Sequence, residues 1–217
     1  MNTFTETVKS RGVEMAEIHE QMAQRTKLEI KKVFLELVEE QGFQNVTVKK
    51  IAECAGINRG TFYLHFIDKF DVMEQIQAEL LNDLHDRFER ITPTEAFKAI
   101  HDGQFYPPLI AIYQFVLEHA HALKVILGDQ GDPSFAKKIK QIFGETLIEQ
   151  FIAIYHPTDN DAEFRKYLLA FMTSAMLGVI QEWINEYEDK TVEDLAKIHY
   201  QLLGFISKLG GFLANQK

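Results

Sequence analysis

Cysteine is nearly absent from this 217-residue chain: Cys54 stands alone. A single cysteine excludes an intrachain disulfide framework and any zinc site built from several thiolates. It suits a reducing compartment. Proline is scarce too, at five residues, and glycine numbers twelve. So few breakers accommodate long helices more readily than many short strands. No stretch approaches the roughly 18 consecutive apolar residues of a membrane span. The N-terminus lacks the charged, then apolar, then small-residue order of a secretory signal. A soluble, cytoplasmic protein without membrane association is expected. Nucleophile elbow, phosphate loop, zinc spacing and dinucleotide fingerprint are missing as well, so an enzyme is not expected. The eight histidines show no ligand spacing. His119 and His121, two apart on a helix, face different ways. Neither a metal nor a cofactor is expected.

What is present points to a folded helical protein. Hydrophobic residues make up 46% of the chain, ordinary for a globular protein and too many for disorder. The length suits one large domain or two small ones. A formal net charge of −9 at first argues against nucleic acid. Its distribution softens that objection. Gln24 to Phe70 holds eight Lys/Arg against six Asp/Glu, whereas Asp71 onward holds thirteen against twenty-two. The acidity therefore sits in the C-terminal part.

Periodicity predicts about nine helices and no strand. Residues 1–24 are polar and read as an extension, frayed or partly helical. The first firm helix is expected from about Arg25 to Gln41, with Ile30, Phe34, Leu37 and Val38 on one buried face. Gly42 ends it. A short helix follows from Thr47, a good N-cap, with Ile51, Ala52 and Ala55 as its apolar stripe. Gly56 breaks that helix, and Asn58 caps another from Arg59 to His65. Asp68 to Arg90 reads as a longer helix, ended by Thr92-Pro93. Further helices are expected from near Pro108 to Leu127, from Asp132-Pro133 to Tyr155, from Asp161 to Glu186, and from Thr191 to Leu213. His156-Pro157 separates two of them.

Three helices within about forty residues, the last two short and joined by Ala55-Gly56-Ile57, describe a helix-turn-helix. The turn must be tight, which suits Gly56. Ala52 fits inside the corner where the two helices nearly touch. Ile51, Ile57 and Phe62 pin the third helix onto the first. The run from Thr47 to Phe66 resembles the DNA-binding signature of the tetracycline-repressor (TetR) family. Gly56 and Tyr63-x-His65-Phe66 stand at the family's distances, Asp68-Lys69 matches the start of its fourth helix, and Gly42-Phe43 and Arg25-Thr26 fit upstream. Asn58 departs from the usual Ser or Thr, and Phe70 from a charged residue.

That resemblance implies an all-α fold: an N-terminal three-helix DNA-binding domain over residues 25–70, and a helical ligand-binding and dimerisation domain over 71–217. It places the third helix in the major groove. Arg59 becomes the candidate base reader, because arginine pairs bidentately with guanine. Asn58 and Thr61 add base or phosphate bonds, and Gly60 lets the backbone approach closely. Tyr63, His65 and Lys69 reach phosphates. Thr47, Lys49 and Lys50 complete a phosphate clamp. Taken singly, Lys49 and Lys50 are ordinary solvated lysines, and Tyr63 and His65 suit packing. The implied function is a DNA-binding repressor, a homodimer on a palindromic operator, released by a small-molecule effector.

The C-terminal part carries an oligomer signal of its own. Leu195, Ile198, Leu202, Phe205, Leu209 and Phe212 recur at steps of three and four. Leu169, Met172, Met176, Val179 and Trp183 make a second row. Two such helices per subunit form a four-helix bundle across a two-fold axis. The same rows also suit the chain's own core. The middle helices are crowded with aromatics, and an apolar cavity with a few polar groups is the expected effector site. Tyr113, Gln114, Glu118, His119, Phe143, Thr173 and Met176 are its candidate contacts. Leu127-Gly128, Gly131 to Phe135, Gly178 and Trp183 further resemble a subgroup related to dihydroxyacetone-kinase regulators. Some of that subgroup act through a partner protein, so a co-regulator working that way is the alternative expectation.

Overall fold

The computed structural model describes residues 3–145 and 162–214, with side chains described over 15–145 except Phe97, and over 162–205. Ten α-helices and no strand are found among the described residues. They are α1 (Thr3–Gln41), α2 (Val48–Cys54), α3 (Arg59–Tyr63), α4 (Lys69–Phe88), α5 (Pro93–His101), α6 (Pro107–Glu118), α7 (Ala120–Leu127), α8 (Pro133–Phe143), α9 (Ala162–Asn185) and α10 (Val192–Ala214). The all-α expectation holds. The chain divides into two compact units, Met1–Ile76 and Gln77–Lys217, with the division inside α4.

Three boundaries differ from the sequence expectation. The first helix begins at Thr3 rather than near Arg25 and runs unbroken to Gln41. Residues 15–29 bury almost nothing, so no apolar stripe announces them. Their Met, Ala, Glu and Gln content sustains the helix by propensity instead. Second, Thr92-Pro93 ends α4 but also opens α5, because proline at the first helical position lacks only an amide that would have no partner there. Third, the helix expected from Pro108 to Leu127 is two helices bent by 72°. The break falls at His119, whose φ of −109° and ψ of 16° are not helical. The expected continuation of α8 to Tyr155, with Phe151 and the His156-Pro157 stop, lies outside the described residues.

In the first unit, α1 packs on α2, and α2 on α3. Ile30, Phe34 and Val38 of α1 are fully buried, as are Ile51, Phe62 and Val72. Burial of each large side chain contributes about 1.5–3 kcal/mol. A basic residue braces this core. Lys69, at the start of α4, donates from Nζ to the carbonyl oxygens of Phe43 and Gln44, each at 2.9 Å. Its ammonium lies 4.8 Å from the centre of the Phe43 ring and 5.5 Å from that of Phe70. Phe43 in turn meets Phe34 and Phe70 edge-on. The resemblance assigns Lys69 to phosphate; here two main-chain carbonyls in the turn that follows the first helix hold its charge.

In the second unit, α9 packs on α6, α7 and α8, and α10 on α5 and α6. The rings of Phe88 of α4 and Phe143 of α8 pack at a tilt of 57°, with centroids 4.3 Å apart. Among the described residues the buried polar side chains are Gln77, Thr173 and His199. Each has a partner. The Gln77 amide donates to Asp132 Oδ2 at 2.7 Å and accepts from Lys138 Nζ at 2.8 Å. Asp132 also caps α8 by accepting from the Ser134 amide. Partial burial pushes the Asp132 carboxyl up, but the bonds from Gln77 and Ser134 and the Lys138 charge outweigh it and leave it below its ordinary value. Thr173 Oγ1 donates to the Leu169 carbonyl at 2.8 Å. His199 Nδ1 lies 2.7 Å from the Tyr113 hydroxyl.

Two tests follow from these polar anchors. Burial pushes the His199 imidazole down to about 4. The unfolded chain therefore takes up a proton, near an ordinary pKa of about 6.5, that the folded chain refuses. His199 supports the fold fully above that value, and its contribution fades as pH falls from about 6.5 to about 4. The loss is on the order of 2–3 kcal/mol. Denaturant titrations at pH 7.5 and pH 5 should show a steeper drop for the native chain than for His199→Gln; equal drops would refute the assignment. Lys69→Ala should cost about 1–3 kcal/mol by leaving two carbonyls without a charged donor. A thermal melt unchanged from that of the native chain would refute the brace.

Candidate nucleic-acid interface

The corner between α2 and α3 is built from short-range bonds. The Thr47 hydroxyl accepts from the Lys50 amide at 3.2 Å and starts α2. At its other end, the Ala55 amide donates to the Ile51 carbonyl, Gly56 to Glu53, and Ile57 to Ala52. Gly56 sits at φ +65°, a region that costs roughly 1–2 kcal/mol for residues with a side chain. Asn58 then opens α3: its Oδ1 accepts from the Thr61 amide at 2.7 Å and from the Thr61 hydroxyl at 3.2 Å. A Cβ on Gly60 would stand 3.0 Å from that same oxygen. Gly60 thus makes room for the cap as well as for any close ligand. Ala52 and Phe62 close the inner side of the corner, 2% and 0% exposed.

With the inner side anchored, the outer side of α3 is polar and open. Asn58, Arg59, Gly60 and Tyr63 are exposed, while Thr61 and His65 are half-buried. Arg59 makes no hydrogen bond or ion pair among the described residues, so its guanidinium is available. Thr47, Lys49 and Lys50 are exposed on α2. Lys49 stands 3.8 Å from Glu53 in an exposed i,i+4 pair, which contributes little and is readily exchanged. Nine of the ten residues implied for DNA therefore present surface to solvent; Lys69 is engaged as described above. Sequence reasoning passed over Leu64 and Ile67, which are 82% and 79% exposed beside α3. Their apolar character suggests core positions. The end of α3 at Tyr63 turns them outward.

The residues expected to contact an effector are not assembled as a set. Tyr113 and Thr173 are buried with their hydroxyls already bonded. Phe143 is packed against Phe88, and the His119 ring against Phe115 at 4.7 Å. Glu118 is exposed and Met176 half-buried. Gln114 lines a groove of about 390 Å³ together with Phe105, Pro107, Ile110, Val192, Glu193 and Ala196.

The two rows expected at a subunit interface separate by burial. Trp183 and Leu195, at 5% and 0% exposure, face the chain's own core and have no surface left to offer a partner. The Trp183 indole N–H is buried without an acceptor among the described residues. Met172, Met176 and Val179 are half-buried. Ile198, Leu202 and Phe205 are open, at 42%, 40% and 64%. The side chain of Leu209 lies outside the described residues. On α9 the exposed row is a different one: Phe164, Tyr167 and Phe171, at 51%, 62% and 61%. Gly178 continues that side, with no atom of the described residues within 4 Å of where its Cβ would be. By length and composition alone α9 is apolar enough to cross a membrane.

Comparison with known proteins agrees with this geometry. Residues 33–76 match the model of bacterial regulatory proteins of the tetR family, and residues 104–204 match a transcriptional regulator C-terminal region. The chain is 26% identical over 186 residues to YxbF, an HTH-type transcriptional regulator of Bacillus subtilis, covering 84% of this chain and 46% of that protein. It is 33% identical over 93 residues to the HTH-type transcriptional repressor KstR2 of Mycolicibacterium smegmatis, covering 42% of each. The chain thus spans less than half the length of these curated relatives. In fold it is similar to a TetR transcriptional regulator from Streptococcus agalactiae, with a TM-score of 0.58 and 22% identity over 86% of this chain and 98% of that one. With both of its units matched by models of this one kind, the chain belongs to the TetR family of bacterial regulatory proteins.

Proposed function

We propose that the chain is a homodimeric, DNA-binding repressor that reads a palindromic operator through α3 and is released by a small-molecule effector. Residues 25–70 act as the DNA-binding domain and 71–217 as the regulatory one, in the cytoplasm. The observation that carries the reading is the open polar side of α3, with unpaired Arg59 at its start, backed by a fully buried inner side. Arg59 pairs with guanine, Asn58 and Thr61 support it, and Tyr63, His65, Thr47, Lys49 and Lys50 take phosphates. A repressor reading agrees with what KstR2 is called. One such unit makes few contacts, and two units on matched half-sites double them.

Dimerisation has its own support. Phe164, Tyr167 and Phe171 on α9, and Ile198, Leu202 and Phe205 on α10, leave more large apolar surface open than a solitary soluble chain usually carries. A second copy would cover it. The exposed row of α9 replaces the Met172 to Trp183 row as the proposed contact. A protein partner in place of a small effector remains the second reading, favoured by the engaged hydroxyls of Tyr113 and Thr173.

Duplexes selected from a random pool, or taken from DNA flanking the gene, should bind the native chain in a shift assay. At fixed salt, Arg59→Ala should weaken binding by about tenfold to a hundredfold. Undiminished affinity would remove Arg59 as the base reader. Light scattering after size exclusion should give twice the chain mass, and Phe171→Glu should shift it toward a single chain with helicity retained. A native chain already at single mass would refute the dimer.

A further inference from the structure

The groove between α6 and α10 has a consistent chemistry. Five of its lining residues are apolar: Phe105, Pro107, Ile110, Val192 and Ala196. Two are polar, Gln114 and Glu193. Neither makes a hydrogen bond or ion pair among the described residues. Lys197 follows Glu193 by one helical turn, yet no ion pair joins them. The nearby carboxylate of Asp194 is engaged differently, accepting from the Thr191 amide at 3.0 Å and hydroxyl at 2.7 Å. Glu193 is thus an uncommitted carboxylate on the wall of an apolar groove. Phe105, half exposed and set edge-on against Tyr200 with centroids 5.5 Å apart, adds an aromatic wall.

An anion is poorly served in this groove. Pro107 and Pro108 have no amide hydrogen, and the Leu109 and Ile110 amides both donate to the Tyr106 carbonyl. The first turn of α6 therefore offers no free donor. At the start of α10 the Thr191 and Asp194 amides serve the cap, and the amides of Val192 and Glu193 sit beside the Glu193 carboxylate itself. Glu193 repels a further negative charge. A neutral apolar molecule would use the apolar wall but leave the exposed Glu193 carboxylate to water, gaining nothing from it. We propose that this groove binds a small organic cation with an apolar body, its ammonium beside Glu193 and Phe105 and its body on Ile110, Val192 and Ala196. Its volume of about 390 Å³ falls within the range of small-molecule sites, about 300–1,000 Å³. Carboxylate and aromatic ring both favour a positive charge between them. The inference rests on the groove alone and does not require that the chain bind DNA.

Isothermal titration of the full chain with 4-phenylbutyltrimethylammonium tests it, with 4-phenylbutanol and 4-phenylbutyrate as neutral and anionic counterparts. The cation should saturate one site per chain and bind more tightly than either counterpart. Glu193→Gln should weaken the cation by roughly threefold to tenfold and leave the alcohol unchanged. Ile110→Arg should abolish cation binding by placing a fixed positive charge in the groove, with circular dichroism confirming the fold. Phe105→Ala, at an exposed position, serves as a second variant and should also weaken the cation. No saturable cation binding, equal affinity for the three probes, or binding indifferent to both Glu193→Gln and Phe105→Ala would each overturn the proposal.

Discussion

Close approach of α2 and α3 is the constraint on which the first unit depends. Ala52 is buried and its carbonyl takes the Ile57 amide across the turn, and the chain turns between the helices with Gly56 at φ +65°. Once that corner exists, Phe62 has one place to go, and it is fully buried. The opposite side of a five-residue helix must then face outward. Asn58 strengthens the arrangement, since one oxygen holds both the Thr61 amide and its hydroxyl. Orientation of Arg59 is therefore a consequence of packing behind it rather than of any contact Arg59 makes.

The second unit is organised by a different balance. Its interior is apolar, with a few buried polar groups, and two of them, Gln77 and His199, are tied to partners on other helices. Gln77 joins α4 to the start of α8 through Asp132 and Lys138. Tyr113 joins α6 to α10 through His199. Unpaired polar groups in such an interior are costly, so each pair also fixes the register of the helices that carry it. The outside is apolar in places as well, along α9 at Phe164, Tyr167 and Phe171. Interior and exterior together explain why α9 shows no clean amphipathic pattern: both sides of the helix are apolar, one of them for the core and one left open.

Much of this was legible in the residues. Apolar spacing in α1, the N-caps at Thr47, Asn58 and Asp132, and the turn at Gly56 are local effects, and local effects are written in short stretches of sequence. The all-helical class followed from them. Helix signals failed where periodicity had nothing to read or where one local signal allowed two outcomes. The early part of α1 carries no buried stripe, so periodicity said nothing about it. The bend at His119 depends on what lies on either side of it, and Thr92-Pro93 suits a helix start as well as a helix stop.

Sequence by itself determined the helical class, the corner at Gly56 and the identity of the residues placed on α3. Those follow from backbone preference and side-chain spacing within a few residues. Tertiary structure alone decided which apolar residues face inward: on α9 Trp183 is buried and Phe171 open, and within the single row of α10 Leu195 is buried and Phe205 open. Periodicity gives a helix its faces but not their neighbours, because burial is a property of what packs alongside. The same reason governs Lys69, whose charge suggests a phosphate and whose position gives it two carbonyls.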